Sequence, residues 1–136
     1  MVGPRVFEVD EVDALIPQLE PLVHEIERHK RQLKQLSVRA NALELIWGAA
    51  LQDEQNPDHA EFQAHIAEMQ RAKEALESCS ERIQALGGEV KGGEPPLVDF
   101  LGVRGRRLIY WCWTKGERRI THWHHVDEGF ANRQPL

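Results

Sequence analysis

The chain has 136 residues, of which 41% are hydrophobic and 29% are charged, so it is long enough for one domain and too apolar for global disorder. Residues 1–96 carry 10 Lys/Arg against 18 Asp/Glu, whereas residues 97–136 carry 7 against 4. The small positive excess in the second segment does not predict a nucleic-acid partner, because phosphate binding needs clustered Lys and Arg.

The chain contains no apolar run that approaches the roughly 18 residues of a membrane span. Its N-terminus also lacks the basic segment followed by an apolar run that is typical of a signal peptide. Two cysteines, Cys79 and Cys112, are present without a CxxC motif. We therefore expect a cytoplasmic protein with reduced thiols and no membrane partner.

A long first helix is predicted over residues about 10–51, with Asp10 as its N-cap. Its core positions are spaced alternately by four and three residues, which is the heptad pattern of a coiled coil. These positions are Leu15, Leu19, Leu22, Ile26, His29, Leu33, Leu36, Ala40, Leu43 and Trp47. Pro17 and Pro21 lie inside the pattern and predict either a kink or a short separate first helix.

A second helix is predicted over residues about 57–86, because Asn56 and Pro57 form a start signal and Gly87 a stop signal. It repeats the alternation of four and three at Phe62, Ile66, Met69, Lys73, Leu76, Ser80 and Ile83. If residues 52–55 form a tight turn, the two series of core positions match in antiparallel alignment. The sequence therefore predicts that residues 1–91 form an antiparallel helical hairpin, a coiled coil.

A second apolar stripe lies near the predicted tip of this hairpin. It comprises Val38, Ala42, Leu45 and Ala49 on the first helix and Ala60, Ala64 and Ala67 on the second. Two helices cannot bury a full core, so we expect a homodimer in which two hairpins form a four-helix bundle. In the alternative, the protein is a monomer whose alanines are simply good helix formers.

Residues 97–136 are predicted to form a small antiparallel β-sheet, because the pattern of the sequence changes to period two. Three strands are expected, at residues 97–101, 107–113 and 118–124, and residues 91–96 are expected to be a linker. The last two strands would be joined through a turn at Gly116. The predicted fold class is thus α+β, a long helical hairpin followed by a small sheet.

The segment from His122 to Asp127 combines three histidines and a carboxylate. Strand alternation places His122 and His124 on one face, and Asp127 could complete a set of two histidines and one carboxylate for zinc, iron or manganese. Asp99 and Glu117 are candidates for a further carboxylate ligand. In the alternative, the imidazoles cap strand ends and hydrogen-bond to backbone groups or carboxylates.

The register of the last hairpin bears on this metal hypothesis. A two-residue turn would place Arg107 opposite His124, and an arginine is unfavourable beside a cation. A shift by one residue would place Tyr110 opposite His122 and Leu108 opposite His124, which leaves room for a ligand. The sequence does not choose between the two registers.

The chain resembles a family of small bacterial proteins known only as an uncharacterised domain, number 2203. The resemblance covers nearly the whole chain, and its most specific part is the C-terminal third. The residues that carry it are Val6–Pro17, Leu19, Pro21–Leu22, Gly88–Lys91, Leu97–Phe100, Ile109–Trp113, Gly116–Glu117, His122–His124, Asp127, Gly129–Phe130 and Arg133–Leu136.

The resemblance implies an architecture and a set of positions, among them Arg133, but no activity. His125 stands where the family pattern has an acidic residue, which removes a carboxylate from the potential metal ligands or adds a third imidazole to them. Pro95–Pro96 replaces a turn that contains glycine.

The sequence supports two functional hypotheses. The leading one is a non-enzymatic homodimeric interaction or scaffold module, because coiled-coil surfaces most often serve assembly. The second is a metal-binding protein or metalloenzyme that uses His122, His124 and Asp127. Tyr110 is a further candidate site residue, although aromatic residues in a small sheet more often serve packing.

Overall fold

The computed structural model describes residues 5–136, which divide into two compact units. The sheet unit comprises the described residues up to His24 together with Cys79–Leu136, and the helical unit comprises Glu25–Ser78. Helix α1 spans Val9–Trp47, a 3-10 helix follows at Gly48–Gln52, and helix α2 spans His59–Ala85. Within the described part of the chain, no helix combines the length and apolarity needed to cross a membrane.

Helix α1 begins one residue before the predicted N-cap. The backbone N–H of Glu8 donates to Oε1 of Glu11 over 2.9 Å, so Glu8 precedes the helix and Asp10 lies in its first turn. Pro17 and Pro21 both lie inside this one helix. The alternative of a short separate first helix is therefore wrong.

In the helical unit, residues from α1, the 3-10 helix and α2 pack together. The buried cluster consists of Ala40, Leu43, Leu51 and Phe62, and Trp47 and Met69 pack against it. The indole Nε1 of Trp47 donates to Oδ2 of Asp58 over 2.8 Å. Arg39 and Glu61 form an exposed ion pair with a distance of 3.0 Å between Nε and Oε1.

The sheet has five antiparallel strands in the order β1-β2-β3-β4-β5, two more than the sequence predicts. They are β1 (Gly88–Lys91), β2 (Leu97–Arg104), β3 (Arg107–Thr114), β4 (His122–His125) and β5 (Gln134–Pro135). Strand β1 occupies residues that the sequence assigns to the helix stop and the start of the linker. The α+β class is as predicted, with a larger sheet.

The predicted strand at residues 118–124 begins only at His122, because the preceding backbone forms other hydrogen bonds. The backbone N–H of Glu117 donates to the carbonyl of Thr114 over 3.1 Å, and the indole of Trp113 donates to the carbonyl of Glu117 over 2.9 Å. The N–H of Ile120 donates to Oδ1 of Asp13 over 2.7 Å. These bonds hold residues 117–120 in an irregular, bent conformation rather than a strand.

One face of the sheet belongs to the apolar core of its unit. Its strand residues are Val98, Phe100, Ile109, Trp111, Trp113 and Trp123, all buried. Phe7 packs edge-on against Phe100, with 5.2 Å between the ring centroids, and its carbonyl accepts a hydrogen bond of 2.9 Å from the Trp111 indole. Because side chains alternate along a strand, the residues between these positions lie on the opposite face.

Candidate metal site

The opposite face of the sheet carries polar side chains from three consecutive strands. Asp99 of β2 pairs with Cys112 of β3, which in turn pairs with His122 of β4. In the next row, Tyr110 of β3 pairs with His124 of β4. The register thus differs from both alternatives considered above, because residues 115–121 form a longer connection than a tight turn. It places neither Arg107 nor Leu108 opposite His124.

His124 and Asp99 form a buried pair. Nε2 of His124 lies 3.1 Å from Oδ2 of Asp99, and each residue is only 3% exposed. Nδ1 of His124 lies 2.8 Å from the backbone carbonyl of His125. A carbonyl can only accept, so Nδ1 carries a proton and donates it. The contact between Nε2 of His124 and Oδ2 of Asp99 is a hydrogen bond, so one further proton lies between these two atoms.

Burial raises the pKa of the Asp99 carboxyl group above its usual value, because a carboxylate loses hydration inside the protein. His124, a hydrogen bond from Cys112 and the charge of Lys91 act in the opposite direction and only partly offset the burial. The other carboxyl oxygen, Oδ1, is also buried and has no nitrogen or oxygen donor within hydrogen-bonding distance among the described residues. The surrounding groups therefore offset only part of the free energy that burial costs the carboxylate form of Asp99.

Cys112 is a free, fully buried thiol beside this pair. Burial, followed by the charge of Asp99, raises its pKa from 9.0 to about 12. The charge of Arg133 lowers the pKa and the charge of Glu117 raises it, so both side chains act electrostatically on the thiol. Without a bound cation, Cys112 is therefore a neutral thiol at neutral pH.

These three side chains are close enough to bind one ion. One ligand atom each from Asp99, Cys112 and His124 lies within 4.8 Å of the others, and all three residues are buried. Aspartate oxygen, cysteine sulfur and histidine nitrogen are the donor atoms that bind zinc and related metals in proteins. The set therefore has the composition and proximity of a three-ligand metal site.

A cavity of about 270 Å³ adjoins Asp99 and His124. Its remaining walls are Lys91, Gly92, Leu97, Tyr110, Val126, Glu128, Gly129 and Phe130. The ring of Tyr110 lies 5.5 Å from that of His124, between centroids. An ion held by the three ligands would thus lie next to space for a small molecule.

Tyr110 is held in place by a short polar chain at the edge of the cavity. Its hydroxyl donates to Oε2 of Glu89 over 3.3 Å, and Oε1 of Glu89 lies 2.9 Å from Nζ of Lys91. Lys91 lowers the pKa of Glu89, and Glu89 raises the pKa of Lys91, as expected for an ion pair. Burial raises the pKa of Tyr110, which therefore stays protonated at neutral pH.

The structure places the sequence-predicted residues in different environments. His124 and Asp99 are brought together, whereas Asp127 is exposed in the turn after β4. Nδ1 of His122 lies 2.9 Å from the hydroxyl of Thr121, and this hydroxyl contacts Oε2 of Glu117. Oε1 of Glu117 accepts the backbone N–H of Thr114 over 2.8 Å, so both of its carboxylate oxygens have partners.

Arg133, the remaining candidate, packs its guanidinium over the ring of Phe130, 4.3 Å from the centroid. Cys112 is the member of the set that the sequence interpretation missed. The sequence does contain an indication, because Cys112 and Tyr110 lie two residues apart on one predicted strand and therefore face the same side of the sheet. That indication becomes informative only when the register places Cys112 beside Asp99.

The fold and this site define a small α+β protein whose five-stranded antiparallel sheet carries a buried Asp-Cys-His set beside a cavity. The chain belongs to the family described as an uncharacterized conserved protein, DUF2203, which matches residues 5–136. No curated protein and no solved structure matches the chain.

Proposed function

We propose that this protein binds a divalent transition-metal ion, zinc in particular, through Asp99, Cys112 and His124. The observation that carries the proposal is the convergence of these three side chains, one from each of three neighbouring strands, at one buried point. The sequence alone suggests His122, His124 and Asp127 as the ligands, and of these three we retain His124. The proposal replaces the other two ligands with residues that are buried beside His124.

The distance between Nε2 of His124 and Oδ2 of Asp99 suits a shared ion. With zinc bonds of about 2.1 Å to both atoms, a separation of 3.1 Å gives an angle of about 95° at the metal. This angle is near the octahedral value and somewhat below the tetrahedral one. A zinc ion could therefore bind both atoms with only small movements of their side chains.

The hydrogen bonding of His124 supports the same conclusion. Histidines that bind a metal usually donate their second ring N–H to a carbonyl or carboxylate, which fixes the tautomer and the ring orientation. Nδ1 of His124 makes this bond to the carbonyl of His125. The imidazole is thus oriented as a ligand would be before any ion binds.

Charge balance also favours a cation. The carboxylate of Asp99 and the thiolate of Cys112 would together neutralise a divalent ion, and the ion would stabilise both anionic forms against the effect of burial. The thiolate favours zinc over harder ions such as magnesium or manganese. Three protein ligands leave a coordination position for water or a substrate, as in catalytic zinc sites.

Elemental analysis tests the proposal. The protein is purified without a histidine tag, supplied with zinc, and freed of unbound metal before measurement. We expect stoichiometric zinc in the wild type, its loss in His124→Ala, and its retention in the matched variant His122→Ala and in Asp127→Asn. Wild-type protein that is folded but stays metal-free would overturn the proposal. Loss of zinc in His122→Ala and Asp127→Asn would overturn this ligand assignment.

A second candidate function is the homodimeric scaffold predicted from the coiled-coil pattern. In the helical unit, Leu45 is 88% exposed, and its neighbours Val38 and Ile46 are 65% and 67% exposed. Large apolar side chains that cluster on one surface favour a protein partner. The contacts among Ala40, Leu43 and Phe62 support the helical hairpin that would form each half of such a dimer.

The dimer is tested by sedimentation equilibrium of the full chain. We expect a dimer for the wild type, a monomer for Leu45→Glu, and a dimer for Val103→Glu, which changes a half-exposed apolar residue of the sheet unit. A monomeric wild type, or a Leu45→Glu variant that remains dimeric, would contradict this interface.

A further inference from the structure

Glu128 lies in the turn that follows β4 and is a wall of the same cavity as Asp99 and His124. Its backbone N–H donates to the carbonyl of His125 over 3.0 Å, which fixes the turn. Its carboxylate oxygen Oε2 is buried and has no hydrogen-bond partner in the described part of the chain. A carboxylate oxygen in this state lowers stability, because it has lost water without gaining a donor.

We propose that Glu128 accepts a proton from a water molecule bound to the metal, so that the site hydrolyses a small carbonyl compound. This inference rests on the proposed metal site and deepens it. Glu128 is a wall of the cavity that Asp99 and His124 also line, so its carboxylate would take this proton at the same cavity. The site would then contain a metal ion, a water molecule and a proton acceptor, as hydrolytic zinc sites do.

The dimensions of the cavity permit this relay. A volume of about 270 Å³ corresponds to roughly nine water molecules at about 30 Å³ each. Asp99, His124 and Glu128 are all walls of this one space, so a water molecule on the metal and the carboxylate of Glu128 would share it. Lys91, the only lysine or arginine among the cavity's described walls, pairs with Glu89 and so does not neutralise Glu128.

The metal-bound water loses one proton to the carboxylate of Glu128, and its oxygen forms a bond to the carbonyl carbon of the substrate. The tetrahedral intermediate collapses, the bond from carbon to the leaving group breaks, and the leaving group takes the proton back from Glu128. The products are a carboxylic acid and an alcohol or amine, and no oxidant or reductant is required.

The walls also indicate the substrate class. Leu97, Val126, Phe130 and the ring of Tyr110 provide apolar surface, and the cavity volume admits only a small molecule. A short acyl group with an apolar substituent would fit these walls. We therefore infer a small ester or amide rather than a peptide or a polysaccharide.

The test uses the zinc-loaded full chain and three variants: Glu128→Gln, Glu128→Ala and the matched control Glu77→Gln. Glu77 is an exposed residue of α2 and is not a wall of the cavity. Zinc content, folding by circular dichroism, hydrolysis of 4-nitrophenyl acetate and calorimetric binding of acetohydroxamic acid are measured for each. The hydroxamate is informative because it binds zinc and transfers its proton to a neighbouring base.

We expect all four proteins to hold zinc and to fold. Both Glu128 variants should hydrolyse the ester at least about tenfold more slowly than the wild type and bind the hydroxamate at least about tenfold more weakly, whereas Glu77→Gln should match the wild type. Unchanged hydrolysis and binding in the Glu128 variants would overturn the role of Glu128. A zinc-loaded wild type no faster than the zinc-free protein would overturn the hydrolytic assignment. A wild type that holds no zinc would instead refute the underlying metal site.

Discussion

Nε2 of His124 lies 3.1 Å from Oδ2 of Asp99, although the two residues belong to strands that are not neighbours in the sheet. Asp99 lies on β2 and His124 on β4, and adjacent strands are about 4.8 Å apart. The two side chains therefore meet over β3, the strand that carries Cys112. This arrangement brings the three potential ligands together.

The buried pair predicts a large effect of removing one partner. Asp99→Ala leaves the imidazole of His124 buried beside a vacated space, so we expect a loss of about 3 kcal/mol in the free energy of unfolding of the metal-free protein. Glu77→Ala, at an exposed helix position, should change it by less than about 0.5 kcal/mol. Urea denaturation measures both. An Asp99→Ala protein as stable as the wild type would show that the pair contributes little.

Much of the fold follows from the sequence, because its signals are local. The alternation of four and three residues predicts two helices, and period two with dense aromatic residues predicts strands β2 and β3. The sequence does not predict strand β1 because this strand, from Gly88 to Lys91, has only four residues and lies next to strong turn signals. Strand β5 has two residues, too few for any pattern.

The candidate site was only partly predictable, because it depends on register. His124 and Asp99 were both named from the sequence, but their contact spans β3 and so requires two strand pairings to be known. The connection at residues 115–121 sets the second pairing through non-local bonds, such as that from Ile120 to Asp13. Cys112 could not be distinguished from an ordinary core cysteine without that register.

The raised pKa of Cys112 predicts an unreactive thiol. At about pH 8, a pKa of about 12 leaves only about one thiolate in ten thousand. In a Cys79→Ser background, Cys112 should react with Ellman's reagent only after unfolding in denaturant. Rapid, complete labelling of the folded, metal-free protein would contradict the burial of this thiol.

The same pKa shift predicts how stability depends on pH. The pKa of Cys112 in the folded protein lies above the ordinary thiol value of 9.0, so the stabilising contribution is complete below about pH 9 and is lost as the pH rises towards 12. A difference of about 3 between the two pKa values corresponds to at most about 4 kcal/mol. Denaturant unfolding of metal-free protein across this range should show the loss in the wild type. If the free energy of unfolding of Cys112→Ala fell as steeply with rising pH, the assignment of this loss to the Cys112 thiol would be contradicted.

Gly102 provides a test of the apolar side of the sheet. A β-carbon at this position would overlap the indole ring of Trp111, which is anchored through its hydrogen bond to the carbonyl of Phe7. We expect Gly102→Ala to destabilise the protein by about 1–3 kcal/mol. Gly105→Ala makes a poor control because of its positive φ, whereas Gly129→Ala has open space and no such constraint. Thermal unfolding measures both variants. A lower melting temperature for Gly129→Ala than for Gly102→Ala would contradict this packing.

Titration of the metal-free protein with cobalt(II), followed by absorption spectroscopy, tests the central claim most directly. Cobalt substitutes for zinc, and a bound thiolate produces a ligand-to-metal charge-transfer band in the near ultraviolet. We predict that this band saturates in the wild type and in Cys79→Ser and is absent in Cys112→Ser. A wild type without the band, or a Cys112→Ser variant that retains it, would contradict a metal site formed by Asp99, Cys112 and His124.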